Sequence, residues 1–534
     1  MSSATASALP ASPFGAGIGV DADIDPRKLV GFLAMVFGMF MAILDIQIVS
    51  ASLTEIQAGL AASNDEISWV QTAYLIAEVI AIPFSGFLSR ALGTRWLFAG
   101  SAAGFTLASL MCGLSSSMNE MIFWRAVQGF IGGGMIPTVF ASAYTVFPRS
   151  RMPIIVPMIG LIATLAPTIG PTVGGYLTDR LSWHWLFFIN IPPGIGVVGM
   201  TSALIDFDKP NVKLFGQFDW WGLIFMAAFL GSLEYVLEEG QRYNWFDDDT
   251  IRFFAVVSAV AAVAFFVRAF TASQPIVDLK AFTNRNFALG SMFSFVLGIG
   301  LYGLTYLYPL YLARVRGYDA LMIGETVFVS GIAMFVCAPI VGRLMDRVDP
   351  RIMLVFGFMT FAAGSWQMTY LTKDFDFWQI FVPQVLRGVG LMFAMVPITN
   401  LALGTLAPER LKNASGLFNL TRNLGGAFGL AALNTVLDDR MDLHFARLHE
   451  SVAWGRQPAN DMLANLTQRF SAFGADAQPM AIKQLMLLAR VQGTVMAFAD
   501  VFLMLALLFA LFGVMAVLMR RPIPAAAPGA PAAH

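Results

Sequence analysis

The residues of this 534-residue chain best placed to do chemistry are charges stranded in apolar sequence. Asp45 lies within Met41-Ala-Ile-Leu-Asp-Ile-Gln-Ile-Val49, and Glu78, Arg125, Glu234, Arg387 and Arg422 are set among apolar neighbours in the same way. An ionisable group inside lipid costs several kcal/mol unless it is paired or wetted, so each such residue needs a purpose. Apolar surroundings favour the protonated form of a carboxylate, which is what a proton carrier requires. Asp45 is the expected proton-binding acid and Arg125 its counter-charge. The competing reading makes the two a permanent ion pair that fixes helix packing. Glu78 and Glu234 are candidates for the same proton coupling, or else wetted carboxylates without a role. Glu238 follows Glu234 by one turn, towards the far surface. Asn419 precedes Arg422 on one helical face, which suits structure as well as a cavity wall.

Other chemistries lack their residues. No Gly-x4-Gly-Lys-Ser/Thr loop is present to cradle a nucleotide, and no Gly-x-Ser-x-Gly elbow to present a nucleophile. The four histidines (His184, His444, His449, His534) are scattered, so no metal set is expected. Cys112 and Cys337 both sit in apolar runs, which predicts no disulfide framework. A net charge of −1 offers no footprint for nucleic acid. No cofactor is expected, and the energy source is an ion gradient or a partner.

The elements that hold these charges follow from composition. The chain is 57% hydrophobic and 13% charged, about half the charge of a soluble protein. Its charged residues form short bands between nearly uncharged runs of about 20 residues, the length that crosses a hydrocarbon core of roughly 30 Å. The fold class is therefore all-α integral membrane. Fourteen spans are predicted, near 28–54, 66–89, 95–114, 121–147, 152–178, 185–205, 218–239, 251–271, 285–313, 320–345, 351–372, 376–406, 412–438 and 492–519. Of 33 Lys and Arg, 18 fall in alternate loops and at the two ends, from Arg27 and Lys28 to Arg520 and Arg521. The opposite short loops hold six (Arg180, Arg242, Arg252, Arg314, Arg316, Lys373). Positive charge stays inside, so both termini are expected to be cytoplasmic and the long loop before the last span external. In that loop Met462, Leu466, Phe470 and Phe473 recur at helical spacing, as do Ile482, Leu485, Met486 and Ala489. Two amphipathic helices result, to be covered by the membrane surface, by each other or by a partner.

Gly86-Phe-Leu-Ser-Arg-Ala-Leu-Gly-Thr-Arg95 recurs 256 positions later as Gly342-Arg-Leu-Met-Asp-Arg-Val-Asp-Pro-Arg351. Trp124-Arg-Ala-Val-Gln-Gly129 is echoed by Leu386-Arg-Gly-Val-Gly390. Repeated halves with a site between them are the usual build of secondary transporters. The expected division is a disordered tail at 1–26, a six-helix half at 27–205, two inserted spans at 206–280, a second six-helix half at 281–521 that contains the loop 440–490, and a disordered tail at 522–534. In Ala166-Pro-Thr-Ile-Gly-Pro-Thr-Val-Gly-Gly-Tyr176 the small residues 166, 170 and 174 make a flat stripe, while Pro167 and Pro171 bend the helix. The stripe suits a moving seam between halves, and equally a kinked packing helix. Tyr302 and Tyr306, one turn apart, are expected to line a substrate cavity with Met41, Gln47, Asn419 and Arg422, since Met and aromatic surfaces adapt to varied apolar ligands.

These motifs together resemble the major facilitator superfamily, specifically its 14-span drug:proton antiporters of EmrB type, over residues 27 to 521. Gly86, Arg90, Gly93 and Arg95 resemble the loop motif Gly-x-Leu-Ala-Asp-Arg-x-Gly-Arg-Arg, with Arg90 standing where the family has an acid; the second copy keeps Asp346. Arg125 to Gly129 looks like the span-4 arginine motif. Pro167, Gly170, Pro171, Gly174 and Gly175 are similar to the antiporter motif. Leu44-Asp45 with Ile48-Val49 resembles the span-1 motif, with Ile-Gln-Ile after the acid in place of the commoner Ser/Thr-Thr-Ile. Trp185 to Gly194, Pro408-Glu-Arg410, Ala414-Ser415 and Asn419-x-x-Arg422 look EmrB-like. The resemblance implies a fold of two six-helix halves with two inserted helices, and export of lipophilic or amphiphilic toxic compounds in exchange for protons across a bacterial inner membrane. It further implies Asp45 as coupling acid with Arg125 as partner. A periplasmic membrane-fusion adaptor of EmrA type and an outer-membrane channel of TolC type would complete a tripartite pump.

Three rivals remain at this level. A dedicated exporter of fatty acids, a siderophore or a self-made antibiotic would use the same fold; anionic cargo calls for cavity arginines, cationic cargo for Glu78 and Glu234. A membrane-embedded lipid-modifying enzyme would need an interfacial nucleophile or His/Asp dyad, and none is convincing. A transporter-like receptor would need a long cytoplasmic domain.

Overall fold

The computed structural model describes residues 25–50, 52–148, 151–272, 275–318, 320–345, 347–406, 410–451 and 456–519. Asp346, most of both expected tails, and the pair Pro408-Glu409 lie outside them. Among the described residues the chain is helical without strands. In chain order the long helices are α1 (Pro26–Ser50), α2 (Trp69–Leu92), α3 (Thr94–Leu114), α4 (Met118–Val146), α5 (Met152–Arg180) and α6 (Trp185–Leu204). Next come α7 (Trp220–Glu239) and α8 (Asp249–Thr271). They are followed by α9 (Arg285–Tyr311), α10 (Ala320–Met345), α11 (Pro350–Gln367), α12 (Phe377–Leu403), α13 (Leu411–Ser451), α14 (Gln457–Arg469) and α15 (Ala477–Met515).

Among the described residues thirteen helices are long and apolar enough to cross a membrane, one fewer than the sequence predicts. The difference is α13, which carries Asn419, Arg422, Asn423 and Asp438 along its length. Its apolar residues Leu417, Phe418, Leu420 and Leu433 are buried, and it packs on α9, α2 and α15. A helix surrounded by protein does not need an apolar surface all round, so hydropathy undercounts it.

The packing repeats with the sequence. In the first half α1 lies on α5 and α6, α2 and α3 on α4, and α3 on α6. In the second half α9 lies on α13 and α15, α10 and α11 on α12, and α11 on α15. The halves meet along two seams related in the same way, α2 with α13 and α5 with α10. The inserted pair α7–α8 packs on itself, and α7 leans on α2 and α13. α8 shows its surroundings Val256, Val260, Val263 and Phe270, as expected of a helix at the lipid boundary.

Close crossings are made by glycine. A Cβ on Gly298 of α9 would lie 2.1 Å from the Arg422 carbonyl oxygen, and one on Gly425 of α13 would lie 2.0 Å from the Phe295 carbonyl oxygen. Both clashes are with backbone, so the helices must part. Gly425→Leu is expected to destabilise the fold by about 3 kcal/mol or more. Size-exclusion chromatography of the detergent-extracted variant, showing aggregate in place of a sharp peak, checks this.

The region between α13 and α15 differs from a long loop. At 1.5 Å per residue the 41 residues of α13 and 39 of α15 each run about 60 Å, twice the hydrocarbon thickness. Both helices therefore continue beyond the bilayer as a stalk. Nε2 of His444 on α13 pairs with Asp500 on α15 at 2.8 Å. α14 folds back on α15, burying Leu466 against Ala481 and Leu485, with Leu463, Phe470 and Leu488 packed around them. The two amphipathic faces cover each other in part, while Met462, Phe473 and Ile482 remain exposed.

Candidate functional site

α2 and α4 cross so closely that a Cβ on Gly129 would stand 2.3 Å from the Tyr74 carbonyl oxygen. That approach places Arg125, one turn earlier on α4, against the backbone of α2. Its Nε donates to the Val70 carbonyl at 3.0 Å and its Nη1 to Asp45 Oδ2 of α1 at 2.7 Å. The guanidinium also lies 4.2 Å from the centre of the Tyr74 ring. Both members of the ion pair are fully buried. Further donors complete the carboxylate: Gln128 Nε2 at 3.2 Å and Asn190 Nδ2 at 2.6 Å, both to Oδ1. Asn190 Nδ2 donates in addition to Ser109 Oγ at 3.0 Å, whose own proton goes to the Phe187 carbonyl at 2.9 Å. Gln128 Oε1 accepts from Arg125 Nη1 at 2.8 Å. Donors from α4 and α6 thus converge on one carboxylate of α1, and Ser109 of α3 holds Asn190 from behind. A buried charge of this kind is stable only when paired and hydrogen-bonded; Arg125 Nη2 is the one nitrogen of the guanidinium left without a partner, and one proton on Asp45 would unsettle the whole network.

The second half keeps the arginine without the acid. Arg387 on α12 donates through Nη2 to Thr305 Oγ1 at 2.6 Å and through Nη1 to Gln384 Oε1 at 3.4 Å, beneath the Tyr308 ring. No carboxylate bonds it among the described residues. A hydroxyl cannot release a proton near neutral pH, so the built ion pair belongs to the first half alone.

Beside the pair lies a cavity of about 390 Å³ between the halves. Gln47, Glu78, Glu234, Glu238, Tyr302 and Tyr306 line it, with Leu75, Leu310, Ile323 and Leu430 among the apolar groups. Its wall therefore holds three carboxylates and, among the described residues, no basic side chain. Glu234 Oε2 is buried without a hydrogen-bond partner. Glu78 is within electrostatic reach of Arg125 and Arg422.

The other expected cavity residues fall elsewhere. Met41 is buried inside the first-half core. Asn419 and Arg422 bond to each other at 2.5 Å, Asn419 donates to the Ser415 carbonyl at 2.8 Å, and Arg422 sits under Phe140 of α4. They lie in the seam between α13 and the first half and do not line the cavity. Their neighbour Asn423 does, accepting from the Tyr302 hydroxyl at 3.3 Å. Gln128, Asn190, Ser109 and Glu238 are the site residues that sequence reasoning left without a role. Gln128 and Asn190 lie inside motifs it singled out.

The small-residue stripe on α5 packs within its own half. A Cβ on Gly170 would touch Gln47 Cβ at 2.4 Å, and one on Gly174 the Ile48 carbonyl at 2.8 Å. The seam to α10 uses other faces of α5, where Thr172 meets Gly324 and Pro153 meets Gly342. Pro167 is buried, Pro171 reaches the cavity, and the Gly175 carbonyl accepts from Thr178 at 3.1 Å.

The two repeated loops meet opposite partners at one end of the molecule. Gly86 abuts Asn413 and Lys412 at the start of α13, and Gly342 abuts Pro153 at the start of α5. Gly93, at φ +79, makes the turn after α2. Asp208 accepts there from the Thr94 backbone N–H at 2.8 Å and the Thr94 hydroxyl at 3.0 Å, and it pairs with Lys412. Lys412 Nζ also donates to the Ser89 carbonyl at 3.2 Å. Asp208 thereby supplies a carboxylate beside a loop where Arg90 occupies the acid position. Arg95 lies over Trp96. With this end closed, the cavity lies towards the stalk end, where its lining comes from the last turns of α1, α7 and α9. Asp208→Asn removes the charge that holds Lys412. It is expected to raise alkylation of a cysteine placed at buried Ser89 about 2- to 5-fold, as for a pair worth up to about 1 kcal/mol, in a background lacking Cys112 and Cys337.

Comparisons place this geometry in a family. Residues 35–430 match the model of the Major Facilitator Superfamily. The chain is 41% identical over 492 residues to the colistin resistance protein EmrB of Acinetobacter baumannii, covering 92% of this chain and 96% of that protein. It is 33% identical over 421 residues to the multidrug export protein EmrB of Escherichia coli K12, covering 79% and 82%. Among solved structures, the proton:xylose symporter XylE aligns with a TM-score of 0.57 at 11% identity, over 90% of this chain and 95% of that one. The human organic anion transporter MFSD10 aligns with a TM-score of 0.55 at 10% identity, over 91% and 100%. Such low identity shows a shared fold alone. The chain is a multi-pass membrane protein that belongs to the Major Facilitator Superfamily, in the company of the EmrB-type export proteins.

Proposed function

We propose that this protein exports lipophilic and amphiphilic toxic compounds in exchange for protons, by alternating access across a bacterial inner membrane. The observation that carries the reading is the adjacency of one fully buried Asp45–Arg125 pair to an acidic, aromatic cavity between the halves. The relatives' names, colistin resistance and multidrug export, point the same way.

The residues divide the work. Asp45 holds the proton. Protonation removes the charge that Arg125 answers and frees its guanidinium from Oδ2, while Gln128 and Asn190 keep the neutral acid in place. Glu78, Glu234 and Glu238 line the cavity with carboxylates that can answer a positive charge, and Tyr302, Tyr306 and the aliphatic wall supply apolar surface, so the favoured cargo is a cation with an apolar body. Substrate charge and the Asp45 proton then oppose each other in one low-dielectric space, which is sufficient coupling for exchange. Because the second half has Thr305 where an acid would stand beside Arg387, coupling runs through the first half.

The cytoplasmic end is the basic one, which holds the Gly86 and Gly342 loops; both termini lie there. The stalk of α13, α14 and α15 is then periplasmic, and its exposed Met462, Phe473 and Ile482 form a reasonable contact for a membrane-fusion adaptor leading to an outer-membrane channel. No nucleotide or metal takes part in this scheme. A susceptibility panel of cationic, neutral and anionic amphiphiles in an efflux-deficient host tests the reading, with an Asp45→Asn control. Protection against cations that disappears in the control supports it; protection that survives, or that favours anions alone, overturns it. Deletion of 455–485 is expected to abolish co-purification of the adaptor, and unchanged binding would refute that contact.

A further inference from the structure

A second cleft lies where the basic end of the molecule meets the lipid boundary. It measures about 340 Å³ and is walled by Phe87 and Arg90 of α2, Leu214, Phe270 at the end of α8, Lys280, and Arg410 ahead of α13. Asp278 also stands in the wall and pairs with Arg410 at 3.8 Å. Arg90 and Lys280 make no side-chain hydrogen bond or ion pair with any described residue, and the Nε of Arg90 is shielded from solvent without a partner. Among the described lining residues, Arg90, Lys280 and Arg410 thus set three positive charges against the single negative charge of Asp278. Arg90 is half-buried and shares Asp278 with Arg410 as its electrostatic partner, so the cleft keeps a surplus of positive charge that suits an anion.

Position says what carries that anion. The cleft sits at the ends of α2 and α8, the level at which a bilayer's head groups lie. From its mouth the outward face of α8 continues as Phe270, Val267 and Val263, which are 73%, 59% and 66% exposed. A phosphate lodged between Arg90 and Lys280 therefore has an apolar track beside it that suits acyl chains. Basic pockets between helices at the cytoplasmic side suit lipid head groups on general grounds.

We propose that this cleft binds a phosphate group, carried there by an anionic phospholipid. Occupancy bridges α2, the inserted α8 and the start of α13, so the lipid bears on the seam between the halves.

The test uses the full-length protein in detergent, titrated with phosphatidylglycerol, phosphatidylcholine or inorganic phosphate and read by native mass spectrometry and thermal unfolding. The expected result is that phosphatidylglycerol binds and raises the unfolding temperature, while phosphatidylcholine and phosphate at equal concentration do neither. Each of Arg90→Gln and Lys280→Gln is expected to weaken phosphatidylglycerol about fivefold, and the pair about 25-fold. Lys280 is exposed, so its single variant keeps the measurement valid if the double variant folds poorly. Equal binding of phosphatidylglycerol and phosphatidylcholine, or undiminished binding by Lys280→Gln, overturns the proposal. Inorganic phosphate acting as well as the lipid overturns the lipid as its carrier.

Discussion

Replacing Asp45 by Asn is expected to abolish proton-driven export while leaving substrate binding in place. The amide mimics the protonated acid, so the transporter is held in one half of its cycle. The link this variant removes is a coupling free energy of roughly 1–3 kcal/mol, an affinity ratio between proton and substrate of about 5- to 150-fold. Asp45→Ala adds a second effect. It leaves Arg125 buried with Gln128 and the Val70 carbonyl as its remaining hydrogen-bond acceptors. Breaking a buried pair by removing one partner costs about 3–5 kcal/mol. The alanine variant is therefore expected to lose folded yield as well as transport, whereas the asparagine variant loses mainly transport. Comparing membrane yield with counterflow activity separates the two.

The second large effect concerns the cavity wall. Two unit charges about 4 Å apart interact by about 4 kcal/mol at an effective dielectric of about 20, and cavity water reduces this further. Glu78→Gln and Glu234→Gln are each expected to weaken a permanently charged cationic substrate about 10- to 100-fold, and a neutral substrate of similar shape by less than about threefold. The split between the two probes is the informative quantity. Equal losses for both would mean that the carboxylates shape the cavity without reading charge. Binding titrations with a fluorescent cation and a neutral analogue check it.

Physical reasons divide what was legible in sequence from what was not. Asp45 and Arg125 stood out because charges in lipid are costly, and that same cost forces them together in the fold. Gln128, Asn190 and Ser109 raised no such signal. They are ordinary polar residues whose value lies in a network around Asp45, Gln128 and Asn190 directly and Ser109 through Asn190, and long-range convergence has no periodicity to read. Arg422 carried the same charge signal as Arg125, yet it serves the seam through Asn419 and Phe140, while its neutral neighbour Asn423 faces the cavity. Charge marks a buried polar position without saying which side of the helix is wet.

The repeat was legible because ten-residue loops are conspicuous between apolar runs. Its consequence, two seams related by the same offset, needed only the assumption that similar halves pack alike. The substitute for the missing loop acid was hidden, since Asp208 lies 114 positions from Thr94. The stalk was half visible. The spacing of Leu466, Phe470, Ile482 and Leu485 predicted helices, but polar residues such as Asp438 and Arg440 disguised the continuation of α13 beyond the membrane.

Proton release on substrate binding tests the central claim most directly. The purified protein, weakly buffered near its working pH and with Asp45 protonated, is mixed with a saturating cationic substrate while a pH indicator is followed. The account predicts net proton release from the wild type and none from Asp45→Asn, with substrate still bound by both. Equal proton release from the variant would contradict it, and would move the coupling site to Glu78, Glu234 or Glu238.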